Sequence, residues 1–355
     1  MILAAGYGTR LWPLTIDRAK PSIPFMGRPL VGYVAEYLAR FGFKDIAVNL
    51  HHRPESVREA LGDGGRFGVR FHYIDEPKIL GTGGALDNAR EFLEADAFVV
   101  VNGKIATDIN LEDALETHRR TGALATLVLR ANAARERYSR VRVRGGFVAG
   151  FGPSPTSDNA GGKDDLANDA RDGDSAMANG ESSALQADAN ERVEGPVPLM
   201  FTGIQILDPR IFEYIPRGVF SHTVTETYIP AITRGERIAA HVAEGFWYEL
   251  STVRRYLETS VALMKREGRG VEVGGGAEIS GSAKVSESVL WENVRVSLGA
   301  RVERSILGAG VVVDAGEIFE NVAVVRADLA RGVERPEKGL RGEFRGSNFV
   351  APIPE

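Results

Sequence analysis

From about Val271 the chain repeats itself every six residues. Val273, Ile279, Val285 and Trp291 hold the spacing, Val296 and Val302 repeat it, and Val312, Ile318 and Val324 repeat it again. Small residues fall between them, among them Gly281, Gly299, Gly308, Gly310 and Gly316. An ordinary sheet alternates every two residues and does not produce sixes. A period of six with small residues at the corners predicts a left-handed parallel β-helix, each hexapeptide forming one face of a prism. The phase slips between Trp291 and Val296 and again between Val302 and Val312, so imperfect coils are expected over 271–328. The tail, 329–355, carries charge, glycine and three prolines, and is expected to be irregular.

Ahead of the repeat, apolar strands alternate with helices. Strands are predicted at 1–5, 45–50, 69–74, 97–101 and 125–129, and helices at 30–41, 55–61, 82–93 and 111–121. The pattern predicts a Rossmann-like α/β domain with a parallel sheet and helices on both faces. Strands at 200–207 and 238–242 and helices at 225–233 and 252–267 complete that domain, residues 1–268. Within it, 153–195 holds ten acidic and three basic residues and almost no large apolar ones. Such a segment buries too little surface to offset ordering, so a disordered acidic insertion is expected.

Composition narrows the chemistry. The chain has no cysteine, which removes disulfides, thiolate metal sites and a cysteine nucleophile. A net charge of -5 gives no overall pull towards nucleic acid or an anionic membrane. No apolar run is long enough to span a bilayer, and the start, MILAAGYGTR, lacks the form of a signal peptide, so a cytoplasmic protein is expected.

The strongest chemical signal is AAGYGTRLWPLT (4–15), with Lys20-Pro21 soon after. A strand ending in a glycine-rich turn presents backbone N–H groups to a phosphate, and Arg10 and Lys20 add charge around it. The dinucleotide fingerprint needs a third glycine where Leu11 stands, and a Walker loop needs Gly-Lys-Ser/Thr; neither is present. The stretch resembles the sugar-1-phosphate nucleotidyltransferases, and LGTGGAL (80–86), VNGK (101–104), FTGIQIL (201–207) and WYELST (247–252) extend the resemblance. Among their branches it is most similar to the mannose-1-phosphate guanylyltransferases. Members of the family usually carry a few residues before the first strand, so Met1 is expected to be slightly internal.

The resemblance implies transfer of a nucleotidyl group from an NTP to a sugar 1-phosphate, with Mg2+ on the phosphates. It implies that Leu3, Ala4, Ala5, Gly6, Gly8 and Thr9 hold the nucleotide. Arg10 would stabilise the pyrophosphate leaving group and Lys20 the α-phosphate region. Gly81, with Glu76 upstream, falls where the family reads the base. Asn102, Gly103 and Gly203 fall on the sugar side. Independently, a carboxylate only accepts hydrogen bonds, and guanine offers two adjacent donors, so Glu76 favours GTP. The alternative is a solvated loop residue before Pro77.

Four departures cluster on the acceptor side. The family's metal aspartate is Lys104 here, and a protonated lysine repels a cation. Its second metal aspartate is Glu249, leaving Glu249 or Asp108 as candidate ligands for a Mg2+ arriving with the NTP. The Glu-Lys-Pro segment is replaced by Phe151-Gly152-Pro153 and the insertion, and the glycine after Tyr138 is Ser139. Two readings follow: an active transferase in which Lys104 supplies charge, or a catalytically impaired nucleotide-sugar-binding relative that regulates a partner. Acyl transfer on the β-helix would need a coil-edge histidine, and none lies beyond His241.

Other features have simpler readings. His51 and His52 follow a strand and are expected to point in opposite directions. Trp247 and Tyr248 are expected to pack at the pocket mouth. Arg135, Arg137, Arg140, Arg142 and Arg144 form a basic run, with the last three on one strand face and Val141 and Val143 on the other. The open coil edges predict a homo-oligomer or pairing with a related subunit.

Overall fold

The computed structural model describes residues 1–134, 136, 138–152 and 197–354. Arg135, Arg137 and the 153–195 insertion lie outside the described residues.

A nine-stranded sheet forms the first part. Its strands run in the order Arg70–Asp75, Asp45–Leu50, Ile2–Leu3, Phe98–Asn102, Leu199–Leu207, Ala125–Ala131, Ile238–Val242, Phe147–Phe151, Arg140–Arg144. The first four are parallel. Leu199–Leu207 then runs antiparallel to both of its neighbours, so the sheet is mixed rather than parallel as the alternation predicted. A βαβ crossover imposes parallel pairing between the strands it joins, but the strand preceding Leu199–Leu207 in the chain, Phe147–Phe151, is neither of its two neighbours in that order, so no such crossover sets its direction.

Ile2–Leu3 is flanked by Asp45–Leu50 on one side and Phe98–Asn102 on the other. The chain therefore leaves this strand where the connections diverge, which is where open α/β sheets bind ligands. Helices Leu30–Arg40 and Leu111–Thr121 pack on one face, through Val34, Leu38, Leu111 and Ala114. Gly81–Asn88 and Arg90–Leu93, one predicted helix broken at Ala89, pack on the other through Ala85, Leu86 and Leu93. Arg140–Arg144 keeps the predicted two-faced pattern only in part: Val141 is buried and Arg140 and Arg144 are exposed, but Arg142 and Val143 are both half-buried.

The repeat forms three short parallel sheets arranged as a coil. The rungs are offset by 17 residues, not 18: Ser305 N–H donates to Ser288 Oγ and Val322 N–H to Ser305 Oγ, each 17 positions back. One corner per coil is a single residue of positive φ, namely Glu287, Arg304 and Asn321, where the other corners are two-residue turns. That tighter corner omits one residue and explains the slips in the sixes. The inward positions are Leu290, Val296, Val302, Leu307, Val313, Phe319 and Val324. Trp291 instead packs outward, and Ile318 is exposed, correcting their assignment to the repeat.

The tail is not irregular. Glu343–Arg345 and Asn348–Pro352 form a hairpin whose second strand pairs antiparallel with Val322–Arg326, closing one sheet of the coil. Coil and tail pack against the segment that follows the glycine turn. Trp12 meets Phe349 edge-on at 5.2 Å, and Trp291 joins Leu11, Leu14, Phe25 and Tyr256 in one apolar cluster. Trp291 Nε1 donates to Tyr256 Oη (3.1 Å), and the Tyr256 hydroxyl donates to the Pro24 carbonyl.

Candidate functional site

The glycine turn leaves Ile2–Leu3 and is pinned at its start and at its bend. Ala4 N–H donates to Asn49 Oδ1 at 2.7 Å. Gly8 adopts a left-handed conformation, φ 68°, and its carbonyl accepts from Leu11 N–H to begin the 3-10 turn Thr9–Leu11. A β-carbon there would lie 2.9 Å from Lys20 Cβ, so glycine is what lets the Lys20 stem pack on the turn. Lys20 opens a second 3-10 turn, Lys20–Ser22, whose preceding Ala19 N–H is held by Ser56 Oγ at 2.9 Å.

Asn49 lines the cleft beside the glycine turn and was not foreseen from the sequence. Its Nδ2 donates to Glu76 Oε1 at 2.7 Å, and Leu80 N–H donates to Glu76 Oε2 at 3.0 Å. Thus Ala4, Asn49, Glu76 and Leu80 form one line from the glycine turn to the loop before Gly81. Glu76 is buried rather than solvated. Burial raises its pKa, and the Asn49 and Leu80 hydrogen bonds oppose the rise. The clue was a polar residue between Val48 and Leu50, in a strand whose other interior positions are apolar.

The paired histidines also differ from expectation. Both rings sit against Tyr7, at 5.4 Å for His51 and 5.6 Å for His52, because the strand ends at Leu50 and no longer splays them. His51 Nδ1 lies 2.7 Å from the Glu76 carbonyl, which can only accept, so Nδ1 donates. In the neutral ring Nε2 then accepts from the Tyr7 hydroxyl, 3.1 Å away.

Phe98–Asn102 ends beside the glycine turn. Gly103 N–H donates to the Leu3 carbonyl at 2.9 Å, and a β-carbon on Gly103 would lie 2.8 Å from that same oxygen. Lys104 follows, then the strand Ile105–Thr107, paired antiparallel with Trp247–Glu249 so that Glu249 faces Ile105. This register brings Lys104 Nζ to 2.7 Å from Glu249 Oε1, with the two side chains only 10% and 4% exposed. Burial alone would raise the Glu249 pKa. The Lys104 ammonium, then Lys20 and Arg10, hold it below the usual carboxylate value.

A cleft is lined by Leu3, Ala4, Ala5, Gly6, Lys20, Glu76, Gly81, Asn102, Gly103 and Lys104, most of the residues singled out from the sequence. His222, Thr223 and Val224 line it too and were not foreseen. They arrive because Ser221 accepts from Gly83 N–H (2.7 Å) and Thr223 N–H donates to Thr82 Oγ1 (2.9 Å). Gly8, Thr9 and Arg10 lie behind the turn, Arg10 acting on Glu249 by charge. Gly203 does not line the cleft; it backs Asn102, whose Nδ2 would lie 2.3 Å from a β-carbon at that position.

A second cavity, about 720 Å³, is lined by Arg130, Trp247, Tyr248, Glu249, Thr252 and Arg255 among others. Lys104 faces the cleft and Glu249 this cavity, so their ion pair forms part of the partition. Trp247 is fixed by its Nε1 donating to the Thr202 carbonyl (2.9 Å), and Arg255 pairs with Glu136 (3.1 Å).

The candidate metal ligands are not brought together. Asp108 is exposed, and its Oδ1 accepts from Phe246 N–H at the opposite end of the two-stranded ladder from Glu249. Three residues along a strand amount to roughly 10 Å. Among the described residues no group of three or more acidic or histidine side chains could hold a metal. Among the described residues no helix is long and apolar enough to cross a membrane.

Comparison with known proteins places this geometry among relatives. A family model described as "Nucleotidyl transferase" matches residues 1–266. The UTP–glucose-1-phosphate uridylyltransferase of Synechocystis sp. is 28% identical, over 97% of this chain and 87% of that protein. The mannose-1-phosphate guanylyltransferase of Mycobacterium tuberculosis is 25% identical, over 90% of this chain and 82% of that protein. The crystal structure of HddC from Yersinia pseudotuberculosis superposes with a TM-score of 0.54 at 21% identity, covering 74% of this chain and 97% of that one, a likeness of fold.

Proposed function

The chain belongs to the nucleotidyl transferase family, and from that premise we propose that it transfers a nucleotidyl group from an NTP to a sugar 1-phosphate, releasing pyrophosphate. The observation that carries the reading is the charge at the end of strand Ile2–Leu3. Arg10, Lys20 and Lys104 all act on one buried carboxylate, Glu249, leaving a net positive site beside the glycine turn. A triphosphate supplies the matching charge. The reaction then needs positioning and neutralisation more than covalent help from the protein.

In this reading the cleft takes the nucleotide. Backbone N–H groups of the glycine turn receive phosphate oxygens, Lys20 neutralises the α-phosphate during in-line attack, and Arg10 stabilises the departing pyrophosphate. The second cavity takes the sugar 1-phosphate, its volume suiting a small polar ligand, with Arg130 and Arg255 offering charge to the phosphate. GTP is the favoured base: Glu76 lines the cleft, each of its oxygens holds one chain donor, and a carboxylate oxygen accepts two. Mannose 1-phosphate is the favoured acceptor on the sequence resemblance. We also read the coil as left-handed, its edges as surfaces for a second copy or a related subunit, and the location as cytoplasmic.

The donor set does not fit a resident Mg2+. Glu249 is spent on the Lys104 ammonium and Asp108 stands elsewhere. Mg2+ remains a companion of the triphosphate, and no step is assigned to it. The same ion pair favours the second reading, a catalytically impaired nucleotide-sugar-binding subunit.

The test is pyrophosphate release with GTP, UTP or dTTP and mannose 1-phosphate or glucose 1-phosphate, wild type beside Arg10→Ala. Turnover with GTP that collapses in Arg10→Ala is expected. Silence with every pair, while GTP or a GDP-sugar still raises the melting temperature, would move the conclusion to the regulatory subunit.

A further inference from the structure

We propose that the Lys104–Glu249 ion pair takes the place of a protein-bound divalent cation, so that this chain captures its nucleotide phosphates without a metal of its own. The proposal rests on the nucleotide reading of the cleft and deepens it.

Lys104 is 8% exposed, and its Nζ is sealed from solvent. An ammonium carries three N–H donors. Glu249 Oε1 lies 2.7 Å away, and no further polar atom among the described residues satisfies the others. A cation held in the wall of a cleft beside a glycine turn acts on an anion there through its charge, since a low-dielectric wall focuses the field into the cleft.

Glu249 explains how the cation is tolerated. Lys104, Lys20 and Arg10 all act on its carboxylate, so the four groups together carry two positive charges rather than three. Burial holds the carboxylate dry, and the cations keep it ionised. A divalent cation entering here would meet the Lys104 ammonium at Glu249. Among the described residues no group of three or more acidic or histidine side chains gathers to hold it, and Asp108 sits at the far end of the ladder. The pair therefore supplies fixed positive charge to the phosphates from the chain itself.

A purely structural pair would hold the two strands together and leave nucleotide binding alone. The two roles separate in a binding experiment on the full chain. Affinity for GTP, UTP and dTTP is measured by calorimetry in EDTA and in Mg2+, and Mn2+ uptake without nucleotide is followed by electron paramagnetic resonance. We expect the nucleotide that binds to keep its Kd within about threefold between EDTA and Mg2+, and wild type to take up no Mn2+ in the micromolar range. Lys104→Asp should gain Mn2+ binding and lose at least about tenfold in EDTA affinity, recovered on adding Mn2+.

Micromolar Mn2+ uptake by wild type, lost in Glu249→Gln, would overturn the proposal. So would a fall beyond about tenfold in nucleotide affinity on adding EDTA, or Lys104→Asp binding in EDTA as wild type does. If Lys104→Asp does not fold, the wild-type arms decide alone. Nucleotide binding that ignores EDTA while pyrophosphate release stays silent supports the ion pair and refutes the transferase. Turnover accompanied by nucleotide-free Mn2+ uptake does the reverse, and no nucleotide binding under either condition refutes both.

Discussion

Replacing Gly8 by alanine separates backbone strain from site geometry. Gly8 has φ 68°, and an L-residue there costs about 1–2 kcal/mol. The new methyl would also lie 2.9 Å from Lys20 Cβ and 3.4 Å from Thr15 Cγ2. Comfortable carbon contacts begin near 3.5 Å, so Lys20 must retreat by roughly 0.6 Å or more. It cannot do so freely, because the clash is at the base of the side chain and Ala19 N–H is tied to Ser56. A misplacement of about 1 Å at a reacting centre costs on the order of 100-fold, so a loss of roughly 10- to 100-fold in nucleotidyl transfer is expected. Gly42→Ala is the control: φ is 86°, yet nothing lies within 4 Å of the new methyl. Urea denaturation should show Gly42→Ala destabilised by about 1–2 kcal/mol and Gly8→Ala by roughly 1–3 kcal/mol more from the clash, whereas pyrophosphate release should fall in Gly8→Ala alone. Equal activities in the two variants would show that the Gly8–Lys20 contact does not position the lysine.

The 17-residue coil predicts that neighbours at 318 and 319 respond oppositely to truncation. Phe319→Ala, at 1% exposure, should cost about 3–5 kcal/mol, and Ile318→Ala, at 58%, under about 0.5 kcal/mol, by chemical denaturation. Glu249→Gln should destabilise by roughly 3–5 kcal/mol at neutral pH, because it strands a buried ammonium. Its carboxyl is depressed below 4.5 in the folded chain, so the stabilisation is complete above that pH and disappears as pH falls through the folded value. The gap between wild type and Glu249→Gln should therefore close below pH 4.5, and a constant gap would refute the linkage. Finally, Phe151 and Leu199 both register with Val141, from opposite sides, which puts them about 10 Å apart. A linker of four glycine and serine residues in place of 153–196 should leave the melting temperature and nucleotide affinity unchanged, and a loss of nucleotide binding would give that segment a role in the site.

Much of the cleft was legible because its residues are contiguous. The glycine turn, Lys20, Glu76, Gly81 and the 102–104 turn each announce themselves within a few positions, and the structure assembles them around one strand end. Residues that matter through a tertiary partner were harder to see. Asn49 acts by joining Ala4 to Glu76, and Glu249 by meeting Lys104 across a short ladder; neither link has a local signature. Strand direction was lost at Leu199–Leu207, where the connection no longer dictates it. In the coil the period of six was visible and the 17-residue rung was not. A single left-handed corner residue such as Arg304 shortens each turn by one and shifts the inward position from Ile318 to Phe319.

The packing of the last strand on the first turn has a consequence for how the protein is made. Trp12, between Arg10 and Lys20, rests on Phe349, and its carbonyl accepts from Leu340 N–H. Pro24 is held by Tyr256, 232 positions downstream. During synthesis the glycine turn emerges long before the side chains that brace it. Contacts of such sequence separation form late, since long loops must close before they are rewarded. The glycine turn at the end of Ile2–Leu3 is therefore expected to reach its settled shape only when the hairpin Glu343–Pro352 docks, and a ribosome stalled within the coil would present a folded sheet with that turn unbraced.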